Sequence, residues 1–238
     1  MRIKFINVAL SAFFILYTGT NAIAGVVVGG TRVVYHLEDK EESLRISNPD
    51  KSLPYLIQSW VDDNGVKGDQ KKNEKPPFII TPPLFRINPG DQNDLRIIRA
   101  GGAFSTEKET MYWLNIKSIP ANPKSSTVKN NSLQVSVKTR IKLIVRPEGL
   151  TSDPSKESEN LKFNRSGDVL TVSNPTGYYM TFYKLSIGDV SLDTIDNMVS
   201  PKGTSTYKIP TKTSSNSLVW QVINDKGGVS NPKSQELK

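Results

Sequence analysis

The side chains that most often carry out nucleophilic, redox or metal chemistry are scarce in this sequence. The chain has one histidine, His36, and no cysteine. A Ser–His–Asp site needs a histidine beside a nucleophile, and no G-x-S-x-G elbow accompanies His36. One histidine cannot build a Cys/His metal site. We therefore interpret His36 as a strand residue with a local hydrogen bond or a solvent-facing ring, and we expect no catalytic residue, no metal and no cofactor.

Two short motifs look like ligand-binding loops but lack essential parts. Asp62-Asp63-Asn64-Gly65 resembles the start of a Ca²⁺ loop, yet the spaced acidic ligands and the final glutamate are missing, so we predict a hairpin turn. The glycines of GVVVGGT, residues 25–31, precede no predicted helix that could hold a phosphate. Acidic residues could form a glycosidase pair, but they lie in predicted turns and linkers, which favours a role in solubility.

The N-terminus predicts export. MRIK is a basic start, residues 6–17 are mostly apolar, and Ala22-Ile23-Ala24 has the A-x-A form of a cleavage site. The apolar run is shorter than the ~20 residues that span a bilayer, which favours a cleaved signal peptide at residues 1–24 over an uncleaved anchor. An exported chain without cysteine has no disulfides, so each domain depends on its hydrophobic core.

The formal net charge of +8 is moderate for 238 residues. Lysines are scattered through turns and among acidic residues, as in GVKGDQKKNEK at residues 65–75. This distribution favours a solvated surface over a nucleic-acid footprint. After the N-terminal run no segment is long and apolar enough for membrane insertion.

Short runs of β-branched and aromatic residues, bounded by Asn, Asp, Gly and Pro, predict an all-β fold. In the first half they are TRVVYHL, SLRIS, YLIQSWV, FIITPPLFRI, DLRIIR, MYWLNI and a longer run before Pro147. After PEGLTSDPSKESEN, residues 147–160, weaker runs follow: LKFN, DVLTVSN, YMTFYKLSI, STYKI and SLVWQVIN. We predict two immunoglobulin-like β-sandwich domains, residues 25–147 and 148–238.

The run SLQVSVKTRIKLIVRP, residues 132–147, is too long for an ordinary strand. Odd positions from Leu133 to Val145 are apolar except Thr139, and even positions are mostly polar or basic. This is the period of a half-buried strand, yet at ~3.3 Å per residue it extends ~45 Å, well beyond the usual five or six residues. A small domain has no core tall enough to cover it, so part of the apolar stripe needs another cover.

Several motifs in order give the chain a resemblance to a known family. They are TRVVY, LPYLIQSWV, FIITPPLFRI, LRI, YWLNIKSIP, SLQVSVKTRIKLIVRP, LTVSNPTGYYMT and INDKGG. The mature sequence resembles the periplasmic chaperones of the chaperone–usher pilus pathway, of which PapD is a well-known case of the sandwich architecture and of strand donation to a pilin. The resemblance implies two domains in a boomerang arrangement. It also implies a protein that is not an enzyme, binds pilus subunits (pilins and adhesin) and delivers them to an outer-membrane usher.

The resemblance assigns roles to individual residues. Arg32 and Lys142 match the basic pair that grips the C-terminal carboxylate of a pilus subunit, a group that charge-assisted hydrogen bonds bind well. Leu133, Val135 and Val137 match the donor strand, whose alternating apolar side chains enter a subunit that lacks its own final strand. On the residues alone, Arg32 and Lys142 would be interpreted as exposed strand charges.

Glu109, Arg146 and Asp225 match a family ion network that bridges the two domains. The position of Arg146, at the end of the long strand and just before the linker, suits that role. Lys142 is even-numbered whereas the donor residues are odd, so in an unbroken strand they would face opposite ways. Either the strand twists or bulges near Thr139, or different faces serve the cleft and the core.

The resemblance also extends to further surfaces and to a branch of the family. Part of the patch that meets the usher is matched by Leu56, Thr81, Pro83 and Leu84. Pro82-Pro83 equally fits a strand bend. IPANPKSSTVKNN, residues 119–131, is short and resembles the short-loop branch that serves rod-like, adhesin-tipped pili. Self-association that caps the donor strand of a client-free chaperone stays open, and the second-domain disulfide of some members cannot form here.

The rival interpretation is a secreted two-domain adhesin or carbohydrate-binding module. Such a protein should present aromatic side chains on exposed loops, whereas Trp60, Trp113 and Trp220 lie inside alternating strand runs and are predicted to be core residues. A periplasmic hydrolase would need a catalytic site that the sequence does not reveal.

Overall fold

The chain folds into two β-sandwich domains. A computed structural model describes residues 25–70, 75–121, 134–210 and 213–237. The predicted signal peptide at residues 1–24 and the donor residue Leu133 lie outside the described residues, as does most of the short loop before the long strand. No helix among the described residues is long and apolar enough to cross a membrane.

Nine of the described strands belong to the first domain. They are β1 (Val27–Val28), β2 (Arg32–His36), β3 (Glu41–Ser47), β4 (Tyr55–Asp62), β5 (Phe78–Thr81), β6 (Leu84–Ile87), β7 (Gln92–Arg99), β8 (Thr110–Pro120) and β9 (Val137–Arg146). One sheet has the order β1-β3-β7-β5 and the other β2-β9-β8-β4-β6. β2 runs parallel to β9, whereas β8 pairs antiparallel with both β9 and β4. The prediction of an immunoglobulin-like sandwich is confirmed for this half.

The FIITPPLFRI run, predicted as one strand, is divided between the two sheets. β5 pairs with β7 in one sheet and β6 pairs with β4 in the other. The chain crosses between them at Pro82-Pro83, and the Thr81–Pro82 peptide bond is cis. Because proline has no N–H group to donate to a ladder, this pair of residues marks the bend.

The predicted hairpin turn after β4 is wrong. Asp62 ends β4, whose partners are β6 and β8, and the next strand along the chain lies in the opposite sheet. The segment that follows is a loop in which the backbone N–H of Gln70 donates to the carbonyl oxygen of Asn64 at 2.9 Å. We call residues 62–70 the β4 loop.

The long strand has two functional faces and no register break. Its pairing with β8 continues from Ser118 opposite Val137 to Thr110 opposite Val145. Ile141 and Leu143, which are 5% and 0% exposed, lie in the hydrophobic core of the first domain. Since side chains alternate along a strand, the even-numbered residues point away from that core. Of the two alternatives left open by the sequence, the bulge near Thr139 is therefore excluded, and different faces serve core and cleft.

The second domain contains two further sheets. Its strands are β10 (Lys162–Ser166), β11 (Val169–Ser173), β12 (Phe182–Ile187), β13 (Val190–Ser191), β14 (Thr204–Lys208), β15 (Ser217–Val222) and β16 (Lys233–Glu236). They form sheets of order β10-β11-β14 and β13-β12-β15-β16 around a separate core. The last strand was not predicted, because KSQE has no apolar run. A one-turn helix, α1 (Pro154–Glu157), lies in the predicted linker.

Candidate functional site

A row of three side chains crosses the outer face of the five-stranded sheet. Arg32 on β2 pairs with Lys142 on β9, and Lys142 pairs with Trp113 on β8. Neighbouring strands lie about 4.8 Å apart and paired side chains share a face. Because the residues on either side of Lys142 enter the core, this row points out of the first domain and toward the second.

Lys142 reaches the second domain through a hydrogen bond. Its Nζ donates to the hydroxyl oxygen of Thr181 at 3.0 Å. The pKa of Lys142 is lowered to about 8, mainly by burial and also by the positive charge of Arg32, while Asp196 opposes both effects. The ammonium group is therefore incompletely solvated, which favours an anionic partner.

Arg32 also contacts the second domain but keeps one donor free. Its Nη1 donates to the carbonyl oxygen of Ile223 at 3.3 Å. Its Nε is buried and has no hydrogen-bond partner among the described residues. Burial lowers the pKa of Arg32, against the opposing charges of Asp225 and Glu109. Two adjacent cations with an unused N–H group are suited to bind a carboxylate.

The structure brings Glu109, Arg146 and Asp225 together in one ion cluster. Arg146 donates from Nη1 and Nη2 to the two carboxylate oxygens of Asp225 at 2.6 and 2.8 Å. Its Nε donates to Glu109 at 2.8 Å, and the other oxygen of Glu109 accepts the backbone N–H of Tyr179 at 2.7 Å. Burial acts to lower the pKa of Arg146, but the bonds to Asp225 and the charge of Glu109 outweigh it and raise this pKa.

The cluster joins the two domains, because Glu109 and Arg146 belong to the first and Asp225 and Tyr179 to the second. Arg146 and Glu109 have side chains only 4% and 1% exposed. The backbone joins the domains at the same place, since Glu109 N–H donates to the carbonyl oxygen of Gly177 at 2.8 Å. An ion cluster and a backbone hydrogen bond therefore both connect the two domains at this junction.

The N-terminal part of β9 is exposed. Val135 and Val137 are 62% and 56% exposed. Residues 134–136 precede the strand, so the observed strand is shorter than the predicted alternating run. β2 pairs with β9 only from Lys142 to Arg146. From Val137 to Ile141 the edge of β9 away from β8 has no neighbour among the described strands. Such an edge accepts an added strand.

The residues of the predicted usher-facing patch are partly clustered. Leu56 and Leu84 are 39% and 55% exposed, and they lie on the adjacent strands β4 and β6. Pro83 is exposed just before β6, and its carbonyl oxygen accepts the backbone N–H of Ser59 at 2.8 Å. Thr81 is half-buried at the end of β5. The four residues therefore surround one corner of the first domain, where the chain changes sheet.

The three tryptophans and His36 lie in different environments. Trp113 was predicted to be a core residue, but it lies on the outer face of the sheet and is buried against the second domain, with its ring 4.8 Å from the guanidinium of Arg140. Trp60 is only half-buried, whereas Trp220 does lie in the second core. His36 has its Nδ1 3.9 Å from Glu38, in agreement with a local role.

Three contacts of the cleft were missed from the sequence. In the second domain, the carbonyl oxygen of Ile223 accepts from Arg32 and the hydroxyl oxygen of Thr181 accepts from Lys142. Arg140 fixes the β4 loop with three hydrogen bonds. Of these residues only Arg140 could have been found from the sequence. It is even-numbered, like Lys142 on the same strand, so the two side chains are expected on the same face. The partners in domain two are distant in sequence, and nothing local marks them.

Comparisons with known proteins agree with this architecture. Residues 25–151 match the family "Pili and flagellar-assembly chaperone, PapD N-terminal domain", and residues 156–234 match "Pili assembly chaperone PapD, C-terminal domain". The chain belongs to the PapD family of pilus-assembly chaperones. This family is not one of enzymes, which agrees with the expectation from the sequence.

Individual relatives resemble the chain over most of its length. Chaperone protein FimC of Escherichia coli (strain K12) is 39% identical over 219 residues, which are 91% of this chain and 86% of FimC. The probable fimbrial chaperone LpfB of Escherichia coli O157:H7 is 39% identical, over 95% of this chain and 94% of LpfB.

Solved structures show the same arrangement of strands. A chain of the complex between the Salmonella enterica SafA pilin and the SafB chaperone superimposes with a TM-score of 0.78 and 33% identity, covering 92% of this chain and 99% of that one. The E. coli chaperone DraB gives a TM-score of 0.76 and 32% identity, covering 90% and 97%.

Proposed function

We propose that this protein is a periplasmic chaperone that binds pilus subunits, stabilises them by donating strand β9, and delivers them to an outer-membrane usher. One observation carries the proposal. The unpaired edge of β9 ends at two adjacent cations, Arg32 and Lys142, that face the cleft. Membership of the PapD family supports the same function.

The geometry supports one way for a subunit strand to dock. β2 begins at Arg32, opposite Lys142, and leaves the preceding part of β9 without a neighbour. A subunit strand on that edge lies end to end with β2. If its C-terminus is the end that meets the cations, it runs in the same direction as β9. The two cations then bind its carboxylate and set the register of every residue before it.

The apolar stripe supplies affinity. Val135 and Val137 are odd-numbered, as are the core residues Ile141 and Leu143, so they continue the core face beyond the first domain. We propose that they and Leu133 fill the core of a subunit that lacks its final strand. Burial of three such side chains contributes about 5–8 kcal/mol before the costs of association.

The remaining assignments belong to the same proposal. We propose that residues 1–24 are a cleaved signal peptide that exports the chain to the periplasm. The domains would extend over residues 25–147 and 148–238. The Glu109–Arg146–Asp225 cluster would hold their angle in the boomerang arrangement, and the Leu56–Leu84 corner would meet the usher. The short-loop branch and client-free self-association stay predictions.

Co-expression tests the function and names the client. The tagged chaperone is expressed with candidate pilins, captured from periplasmic extract, and its partners are identified by mass spectrometry. We expect stoichiometric capture of subunits with an immunoglobulin-like fold. An adhesin or carbohydrate-binding module, the rival class, would instead capture no pilin and bind immobilised glycans. That pair of results would contradict the proposal.

A further inference from the structure

A small cavity adjoins the anchor lysine. Its volume is about 70 Å³, and Lys142 and Thr181 form part of its wall. Val66 and Trp113 of the first domain and Met198 of the second supply apolar surface. The proposed chaperone function does not account for this cavity, because the carboxylate needs only the two cations.

The wall contributed by the first domain is held rigidly. Arg140 Nη1 donates to the carbonyl oxygens of Gly65 and Val66 at 2.9 and 2.7 Å, and its Nη2 donates to Asp62 at 2.7 Å. The same guanidinium lies 4.8 Å from the centre of the Trp113 ring. Its side chain is 11% exposed. One buried cation therefore fixes both Val66 and Trp113 in place.

The wall contributed by the second domain is a loop with its own hydrogen bonds. The N–H of Asn197 closes a turn by donating to the carbonyl oxygen of Thr194, and Met198 follows this turn. Asn197 Nδ2 also donates to the carbonyl oxygen of Thr206 at 3.0 Å, which ties the loop to β14. The cavity thus closes only when the domains are in contact, which the Arg146 cluster maintains.

The position and size of the cavity indicate which group of a bound subunit could fill it. In a terminal residue the side chain leaves the carbon next to the carboxylate, so a carboxylate at Lys142 Nζ puts that side chain within reach of the cavity. A cavity of 150 Å³ accepts benzene, and this one has about half that volume. It has room for a side chain of the size of serine to valine, and none for an aromatic ring.

We infer that this cavity receives the side chain of the last residue of the bound subunit and restricts that residue to a compact type. Val66, Trp113 and Met198 are its specificity-determining residues, and Arg140 is a positioning residue that acts through the β4 loop. The inference rests on the proposed anchoring of the subunit carboxylate.

Synthetic peptides test the inference with the intact chaperone. The probe is the last 15 or so residues of the subunit captured by co-expression, made with serine, valine, phenylalanine or tryptophan at its end, each as free acid and as amide. Competition against a labelled serine-ended peptide gives relative affinities. We expect the tryptophan acid to bind at least tenfold more weakly than the serine acid, since pockets discriminate at about this level.

Enlarging the cavity should restore the rejected peptide. Val66→Ala should strengthen binding of the phenylalanine and tryptophan acids at least threefold, with little change for serine. Ile195→Ala is the matched control, because Ile195 lies in the same domain-two loop, is 79% exposed and does not line the cavity. It should change no preference.

The peptides separate failure of the inference from failure of the function. If acids bind better than amides but all terminal residues bind alike, the cavity has no selective role and the inference is overturned while the anchor stands. If acids bind no better than amides, the anchor itself is wrong, and the inference falls with it.

Discussion

Ile141 and Lys142 are consecutive residues of β9 whose side chains serve different domains. Ile141 is 5% exposed in the first core, whereas Lys142 donates to Thr181 of the second domain at 3.0 Å. One unbroken strand therefore contributes to the core with its odd residues and to the cleft with its even ones. From Val137 to Ile141 the outer edge of the same strand has no neighbour among the described strands. Under the proposed function, one strand would therefore connect folding, anchoring and client binding.

A charge on the donor stripe should remove client binding without unfolding the chaperone. Val137→Asp puts a carboxylate at a position 56% exposed in the free protein, where it would be desolvated only in the complex. We expect client affinity to fall at least a hundredfold and the melting temperature to change little. Ser136→Asp is the control, since it adds the same charge on the opposite face. Equal losses for both variants would contradict the assignment of faces.

Truncation of a core side chain in the C-terminal half of β9 should instead destabilise the chaperone itself. Leu143 is fully buried, so Leu143→Ala should lower the free energy of unfolding by about 2–5 kcal/mol. Chemical denaturation of the isolated chaperone measures this loss. A stability close to that of the wild type would mean that Leu143 is not part of a packed core.

Client affinity should decline above pH 8. The pKa of Lys142 is lowered to about 8, mainly by burial, and a bound carboxylate raises the pKa in the complex. Above pH 8 the amino group of Lys142 therefore takes up a proton when the client binds. The client affinity should be constant below pH 8 and should fall by up to about tenfold per pH unit above it. Titration calorimetry from pH 6.5 to 9.5 tests this expectation.

Lys142→Arg supplies the matched comparison for the pH profile. Arginine keeps its charge throughout this range, so this variant should show a flat profile even if its affinity is lower. The same decline in both proteins would assign the effect to another group.

Loss of Arg146 should loosen the domain junction. Arg146→Ala leaves Glu109 buried without its cation, and we expect a cost of about 3–5 kcal/mol together with a wider spread of interdomain angles by small-angle scattering. Arg45→Ala removes a surface ion pair whose partners are 60% and 48% exposed, so it should cost less than about 1 kcal/mol. An unchanged scattering profile for Arg146→Ala would argue against the cluster as the angle-setting contact.

Gly177 should be intolerant of a methyl group for steric reasons. A Cβ atom there would lie 2.5 Å from the carbonyl oxygen of Glu107 and 2.8 Å from Leu150 Cδ2. Gly177→Ala should therefore cost about 1–3 kcal/mol and separate the domains at this point. Gly149→Ala, with its nearest atom 3.5 Å away, is the control. Equal melting temperatures for the two variants would exclude a tight junction.

Local pattern was sufficient for the fold but not for the contacts between distant segments. Alternation and turn residues predicted the two sandwiches. The even number of Lys142 and the odd numbers of the donor residues limited the long strand to two alternatives, a twist or bulge near Thr139 or two faces with different roles. The division of FIITPPLFRI between sheets was not predicted, although its two prolines fitted a bend. β16 was missed because an edge strand of KSQE carries no apolar period.

In the candidate site, too, local sequence features predicted some residues but not their contacts with distant segments. Family motifs named Arg32 and Lys142, and the parallel pairing of β2 with β9 makes them neighbours. Their partners Thr181 and Ile223 are 39 and 191 positions away in sequence, so only the folded chain could identify them. Trp113 was assigned to the core because alternation shows which residues share a face, but not whether another domain covers that face.

Recovery of a subunit with anchor variants tests the central claim most directly. Arg32→Ala, Lys142→Ala and the control Lys208→Ala, an exposed residue of β14, are each co-expressed with a captured subunit, and the subunit that co-purifies from the periplasm is quantified. We predict that both anchor variants fold, recover less than a tenth of the wild-type amount, and differ sharply from the control. Wild-type recovery with both anchor variants would contradict the account.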